Sequence, residues 1–162
     1  MKNFRRGVLI CLLLAATAGC DRVTKHYALT TLAGMPGQSF LGDTVRLDYR
    51  ENPGGFLSVG ATWRPETRVV VFQFSNGLFL IATLFMAARH QWSRLAAAGL
   101  LLFVAGGMSN LIDRIAMGSV IDFLNIGIGS FRTGIFNGAD VAIMAGVALL
   151  GTERWRARRV GV

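Results

Sequence analysis

Three apolar runs, Val69 to Ala88, Leu95 to about Ile115, and about Ile135 to Gly151, constrain this chain more than anything else in it. Each is close to the roughly 20 residues a helix needs to cross about 30 Å of hydrocarbon. A fourth candidate lies first in the chain but is shorter. Gly7 to Gly19 has only 13 uncharged residues, and it becomes a full crossing only by continuing through Asp21, Arg22 and Lys25 to about Leu32. An apolar fraction of 52% and 20 glycines in 162 residues point the same way, to a membrane protein.

The net charge of +8 is informative only once it is sorted by the sides these spans create. One side holds Lys2, Arg5, Arg6, Arg89, Arg94, Arg154, Arg156, Arg158 and Arg159 with the single acid Glu153. On the other, together with the span ends facing it, eight basic residues balance eight acidic ones. Cytoplasmic loops carry the excess of Lys and Arg, so both termini and the Arg89 to Arg94 loop are expected inside, with every carboxylate except Glu153 outside. The basic excess thus reports topology, and nucleic-acid binding is not expected. Cys11 and Cys20 fall nine residues apart on opposite faces of one helix, which excludes a disulfide between them. His26 and His90 stand at span ends and read as interfacial residues rather than ligands; no metal-ligand spacing exists.

The start of the chain has a rival reading. Basic residues, a short apolar core and then Cys20 also describe a bacterial lipoprotein signal peptide cleaved before that cysteine. Thr17 is a poor fit to that pattern and three more spans follow, which favours an uncleaved first span. Asp21 and Lys25, at i and i+4 with the acid first, form a favourable helical pair.

From Gly34 to Arg68 the chain lies outside the membrane. Val45, Leu47 and Tyr49 alternate with Arg46, Asp48 and Arg50, a period of two that predicts a half-exposed strand. Asn52-Pro53-Gly54-Gly55 breaks it, and Phe56 to Val59 is expected to return as a partner strand, giving a small outer sheet. Asn52 on spacing alone is a turn residue. Within the spans, Gln73, Ser75 and Asn76 need polar partners, and Gly106-Gly107 permits close helix contact. Asn110, Asp113 and Arg114 then cluster on one face at a membrane boundary.

Two further carboxylates carry the functional expectation. Asp122 sits between Ile121 and Phe123 in an extended stretch, and Asp140 follows Asn137 by three at the start of the last apolar run. That second spacing is also ordinary helix-start chemistry, an N-cap with an acid at the third position. Two carboxylates close together in a poorly solvated site cannot both ionise cheaply, so one stays protonated while its partner remains a base. This pairing lets one acid draw a proton from water while the other donates to a peptide carbonyl and its leaving amine. A glycine-rich phosphate loop, a His-Glu-x-x-His motif and a Gly-x-Ser-x-Gly elbow are all missing.

Taken in order, Asp21 with Lys25, Asn52-Pro53-Gly54-Gly55-Phe56, Asn110-Leu111-Ile112-Asp113-Arg114, Val120-Ile121-Asp122-Phe123 and Phe136-Asn137-Gly138-Ala139-Asp140 resemble the lipoprotein signal peptidase (signal peptidase II) family over nearly the whole chain. The resemblance implies a mainly α, single-domain bacterial inner-membrane protein over residues 1–162. It would have four transmembrane helices (about 7–32, 69–88, 95–115 and 135–151), a periplasmic β-containing segment at about 34–68 and cytoplasmic termini. It implies an aspartic endopeptidase, acting without metal or cofactor near the periplasmic face, with Asp122 and Asp140 as its dyad. Asn52, Asn110, Arg114 and Asn137 would contact substrate, and Asp21, Lys25 and Asp113 would support the site. The implied partners are membrane lipids and prolipoproteins already carrying diacylglycerol on the cysteine before which they are cut, and the enzyme is expected to be monomeric.

Two departures from the family pattern bear on substrate preference and leave room for a divergent paralogue: Phe56 follows Gly55 one residue early, and Met108-Ser109 precedes Asn110 where the family has a variable residue and glycine. The competing reading is a non-enzymatic membrane scaffold or lipid-binding protein whose acids only cap helices and form salt bridges.

Overall fold

The computed structural model describes residues 2–89 and 92–160, so His90 lies outside the described residues. Helix α1 (Lys2–Tyr27) runs without a break past Cys20, which is exposed and free, and past the exposed His26, then widens into a π-helical turn, Ala28–Leu32. Strands β1 (Gln38–Phe40) and β2 (Val45–Asn52) follow. A helical rod is then built from α2 (Pro65–Arg68), a π-helical stretch Val69–Ser75 and α3 (Asn76–Arg89). Helix α4 (Arg94–Met117) starts at a Ser93 cap and ends at Gly118, whose positive φ of 74° suits the left-handed turn there. Strands β3 (Val120–Ile128) and β4 (Phe131–Arg132) lead to α5 (Gly138–Val160).

The four strands form one antiparallel sheet in chain order. The predicted alternation at Val45 to Arg50 is thus a strand, but Phe56 to Val59 is not its partner. That segment is a tight turn: Leu57 and Ser58 have φ of 54° and 61°, incompatible with extended backbone, and the Gly55 amide donates to the Val59 carbonyl at 2.8 Å. Gly54 makes this closure possible, since a Cβ there would lie 2.5 Å from the Val59 oxygen. Strand β2 pairs instead with β1, just before it in the chain, and with β3, far along it.

The distribution of polarity is inverted from that of a soluble domain. Lys25, Asn137, Asp113 and Ser109 are among the largest fully buried side chains, while Phe74, Leu78, Ile81, Phe85, Ile115 and Met144 are exposed. Two helical segments, Pro65–Ala87 and Arg94–Met117, are both long and apolar enough to cross a bilayer; only 11% of the first one's most apolar window is buried within the fold, against 50% of the second's. Helices α4 and α5 approach backbone to backbone. A Cβ on Gly99 would sit 2.9 Å from the Gly146 oxygen, and one on Gly106 would sit 2.4 Å from the Ala139 oxygen, so small residues set the spacing at the turn that carries Asp140. Beneath the sheet, Ala28, Leu32 and Ile121 form an apolar cluster with Leu47, Tyr49 and Phe123 against it.

Candidate active site

Sheet pairing brings the two predicted acids to one place. Asp122 is the third residue of β3, opposite Arg50 of β2, with its flanking Ile121 turned into the apolar cluster. Beyond the β3–β4 hairpin the chain returns alongside β3, where Phe136 exchanges hydrogen bonds with Leu124 at 2.9 Å in both directions. The next residue is Asn137, and α5 begins directly after it. Asn137 is fully buried and does two things at once. Its Oδ1 accepts from the Asp140 amide at 2.9 Å while Asp140 Oδ2 accepts from the Asn137 amide at 3.2 Å, a reciprocal capping box. Its Nδ2 donates to Asp122 Oδ1 at 2.7 Å.

Further amides complete the shell. Asn52, the last residue of β2, donates to Asp122 Oδ2 at 3.0 Å, and its Oδ1 holds the Gly54 amide at 3.0 Å, so it is a turn residue and a site residue together. Asn110 of α4 donates to Asp140 Oδ1 at 2.8 Å. The polarity of that amide is fixed from behind: Asn110 Oδ1 accepts from Lys25 Nζ at 2.8 Å and from Asn137 Nδ2 at 3.2 Å, and an ammonium can only donate. Arg114 donates to the Gly54 carbonyl at 2.6 Å and to the Asn110 carbonyl at 3.2 Å, with its guanidinium 5.7 Å from the Phe72 ring centre. Gln73 meets the Arg114 carbonyl at 2.8 Å, which supplies the partner its place in an apolar run demands.

A buried ionic cluster ties α1 to this shell. Lys25 Nζ pairs with Asp21 at 2.8 Å and Asp113 at 2.7 Å. Asp21 also accepts from Ser109 Oγ at 2.6 Å and from the Ala139 amide at 2.8 Å, so a carboxylate from α1 sits at the N-terminus of α5. Gly138 leaves the room, since a Cβ there would lie 3.2 Å from the same Asp21 oxygen. Arg22 bonds Asp113 and reaches the Ser109 carbonyl at 3.0 Å and hydroxyl at 3.2 Å. Sequence reasoning missed this use of Arg22 and Ser109; the one signal was the polar Ser109 standing in a glycine-rich helical stretch.

Asp122, Asp140, Asn52, Asn110 and Arg114 all line a single cavity of about 1230 Å³. Toward the helices its wall is apolar, with Leu80, Phe103, Ile143 and Met144, and toward the sheet it carries Arg132 and Thr133. Burial pushes the Asp122 carboxyl up to about 6; the negative charge of Asp140 adds to the rise, while the Asn52 and Asn137 amides oppose it. Among the described residues no group of three or more His, Cys, Asp or Glu side chains is arranged to hold a metal ion.

Comparison with known proteins bears on this arrangement. A family model described as signal peptidase (SPase) II matches residues 13–156. The lipoprotein signal peptidase of Desulforapulum autotrophicum is 33% identical over 148 residues, 91% of this chain and 91% of its own length. That of Methylocella silvestris is 36% identical over 147 residues, 88% of this chain and 83% of its own. Two solved bacterial membrane enzymes share the fold: one superposes with a TM-score of 0.81 at 22% identity over 95% of this chain and 92% of its own, the other with 0.79 at 24% over 90% and 91%.

Proposed function

We propose, for a chain that belongs to the signal peptidase II family, that Asp122 and Asp140 are the catalytic dyad of an aspartic endopeptidase. Its activity is that of a lipoprotein signal peptidase, removing signal peptides from prolipoproteins. The observation that carries the dyad assignment is Asn137, which hydrogen-bonds both carboxyl groups at the wall of one cavity. A pair so joined and poorly solvated shares one proton. The ionised member takes a proton from water as the water attacks the scissile carbonyl, and the protonated member donates to the carbonyl oxygen. Proton return to the amine then releases the two peptides. Asn52, Asn110 and Asn137 hold the two carboxyl groups, and Arg114 braces the turn that carries Asn52.

The substrate is a prolipoprotein bearing a diacylglyceryl group on the cysteine that follows the cut. The apolar part of the cavity, lined by Leu80, Phe103, Ile143 and Met144, suits acyl chains, and their binding would position the bond at the dyad. The charge asymmetry and the exposed apolar side chains support a reading with four spans, cytoplasmic termini and a dyad near the periplasmic face of the inner membrane. The test is cleavage of purified prolipoprotein, with and without diacylglyceryl modification, with the cut mapped by mass spectrometry. Cleavage before the cysteine, confined to the modified form, supports the reading; equal cleavage of both forms contradicts the lipid requirement.

A further inference from the structure

The cavity has a cationic wall that the dyad chemistry does not use. Arg132, on the short strand β4, lines it beside Thr133 and Gly134. Its side chain is only 11% exposed. Nε donates to Asn125 Oδ1 at 2.5 Å and Nη1 to the Asp43 carbonyl at 2.6 Å, which fixes the plane of the guanidinium. Nη2 is buried and has no hydrogen-bond partner. Such an N–H is costly to leave unmet, and an arginine held this firmly is pre-organised for an oxygen acceptor. Nor is its charge closely matched. The nearest carboxylate, Asp43, stands 3.6 Å from Nη1, and both its oxygens are already taken by Arg46, at 2.6 and 2.5 Å, with Ser39 sharing one of them at 2.6 Å.

The position of Arg132 along the cavity indicates which part of a substrate meets it. The apolar wall belongs to α3, α4 and α5, whereas Arg132 belongs to β4 of the sheet. Gly55, Phe56 and Leu57 of the tight turn line the same cavity, and Leu57 packs against Gly134 so closely that a Cβ on Gly134 would sit 2.7 Å from its Cδ2. A polypeptide leaving the dyad toward the sheet would therefore meet both that turn and Arg132.

We propose that Arg132 is a substrate-positioning and specificity-determining residue, whose guanidinium takes an oxygen acceptor, carboxylate or backbone carbonyl, on the segment just after the lipidated cysteine. This rests on the peptidase reading above. The experiment measures kcat and KM for wild type, Arg132→Gln and Arg132→Lys on three diacylglyceryl-modified reporters carrying Asp, Ser or Lys at the two positions following the cysteine. Loss of one charge-assisted hydrogen bond predicts a rise in KM of about tenfold for Arg132→Gln, with a smaller change in kcat and partial recovery in Arg132→Lys. A rise confined to the Asp reporter assigns a carboxylate acceptor; an equal rise on all three assigns a backbone carbonyl. Unchanged KM on every reporter, or a fall in kcat larger than the rise in KM, overturns the proposal. Should Arg132→Gln melt below the assay temperature, Arg132→Lys alone decides by the same criterion, because the planar fork is lost while the charge stays. Failure of wild type to cut any reporter would instead overturn the peptidase reading itself.

Discussion

At the scale of single residues, the two carboxyl groups are held by different means, and that difference is testable. Asp122 rests on a strand and takes its hydrogen bonds from side-chain amides, whereas Asp140 belongs to a capping box. Because a shared-proton pair works only when singly protonated, the pH profile of kcat/KM is expected to be bell-shaped, with one limb near 6 where Asp122 titrates. Replacing Asp140 by Asn removes a neighbouring negative charge, which lowers the Asp122 titration toward its ordinary value of 3.8; carbon NMR of labelled aspartate reads this directly. The sign for stability follows from the raised value. Stabilisation tied to this group is complete below about 3.8 and is lost as pH rises through about 6, so thermal melting of Asp122→Asn should depend less on pH over that interval than wild type. Both acids and all four of the polar residues expected around them were legible as ordered motifs. What spacing could not reveal was that Asn137 serves as cap and bridge together, since its contact with Asp122 depends on the return of the chain past β3.

At the scale of elements, the site depends on three helix contacts and one strand pairing. Lys25→Met would leave Asp21 and Asp113 buried without their ammonium, a loss expected to cost about 3–5 kcal/mol and to free the Asn110 amide to turn. The check is thermal melting together with the cleavage rate, and a variant as stable as wild type would contradict the lock. Gly106→Val would force α4 away from the turn of α5 that holds Asp140, with an overpacking cost of about 1–3 kcal/mol and a marked loss of activity even where the fold survives. The sequence predicted α1 through to Leu32, and the structure has it, ending in a π-helical turn. The mistaken strand at Phe56 to Val59 has a local cause. Two consecutive residues at positive φ fold the chain back on itself, and neither Leu57 nor Ser58 advertises that conformation.

At the scale of the whole molecule, burial is organised for a solvent that is apolar around the helices and aqueous around the sheet. Charged and amide side chains fill the interior at the junction of the two, and bulky apolar ones face outward along α3 and α4. The proposed topology of four crossings with both termini inside predicts that, in a variant with Cys11 and Cys20 changed to Ser, a cysteine placed at Leu41 reacts with an impermeant maleimide from outside. One placed at Ser93 should react only after the membrane is opened. Labelling of both from the same side would contradict that topology. The most direct test of the dyad remains single-turnover cleavage of a diacylglyceryl-modified prolipoprotein by purified wild type, Asp122→Asn and Asp140→Asn at matched folding. The account predicts that each variant melts as a folded protein yet loses roughly 10²–10⁴-fold in rate. Wild-type rates in either folded variant would contradict it.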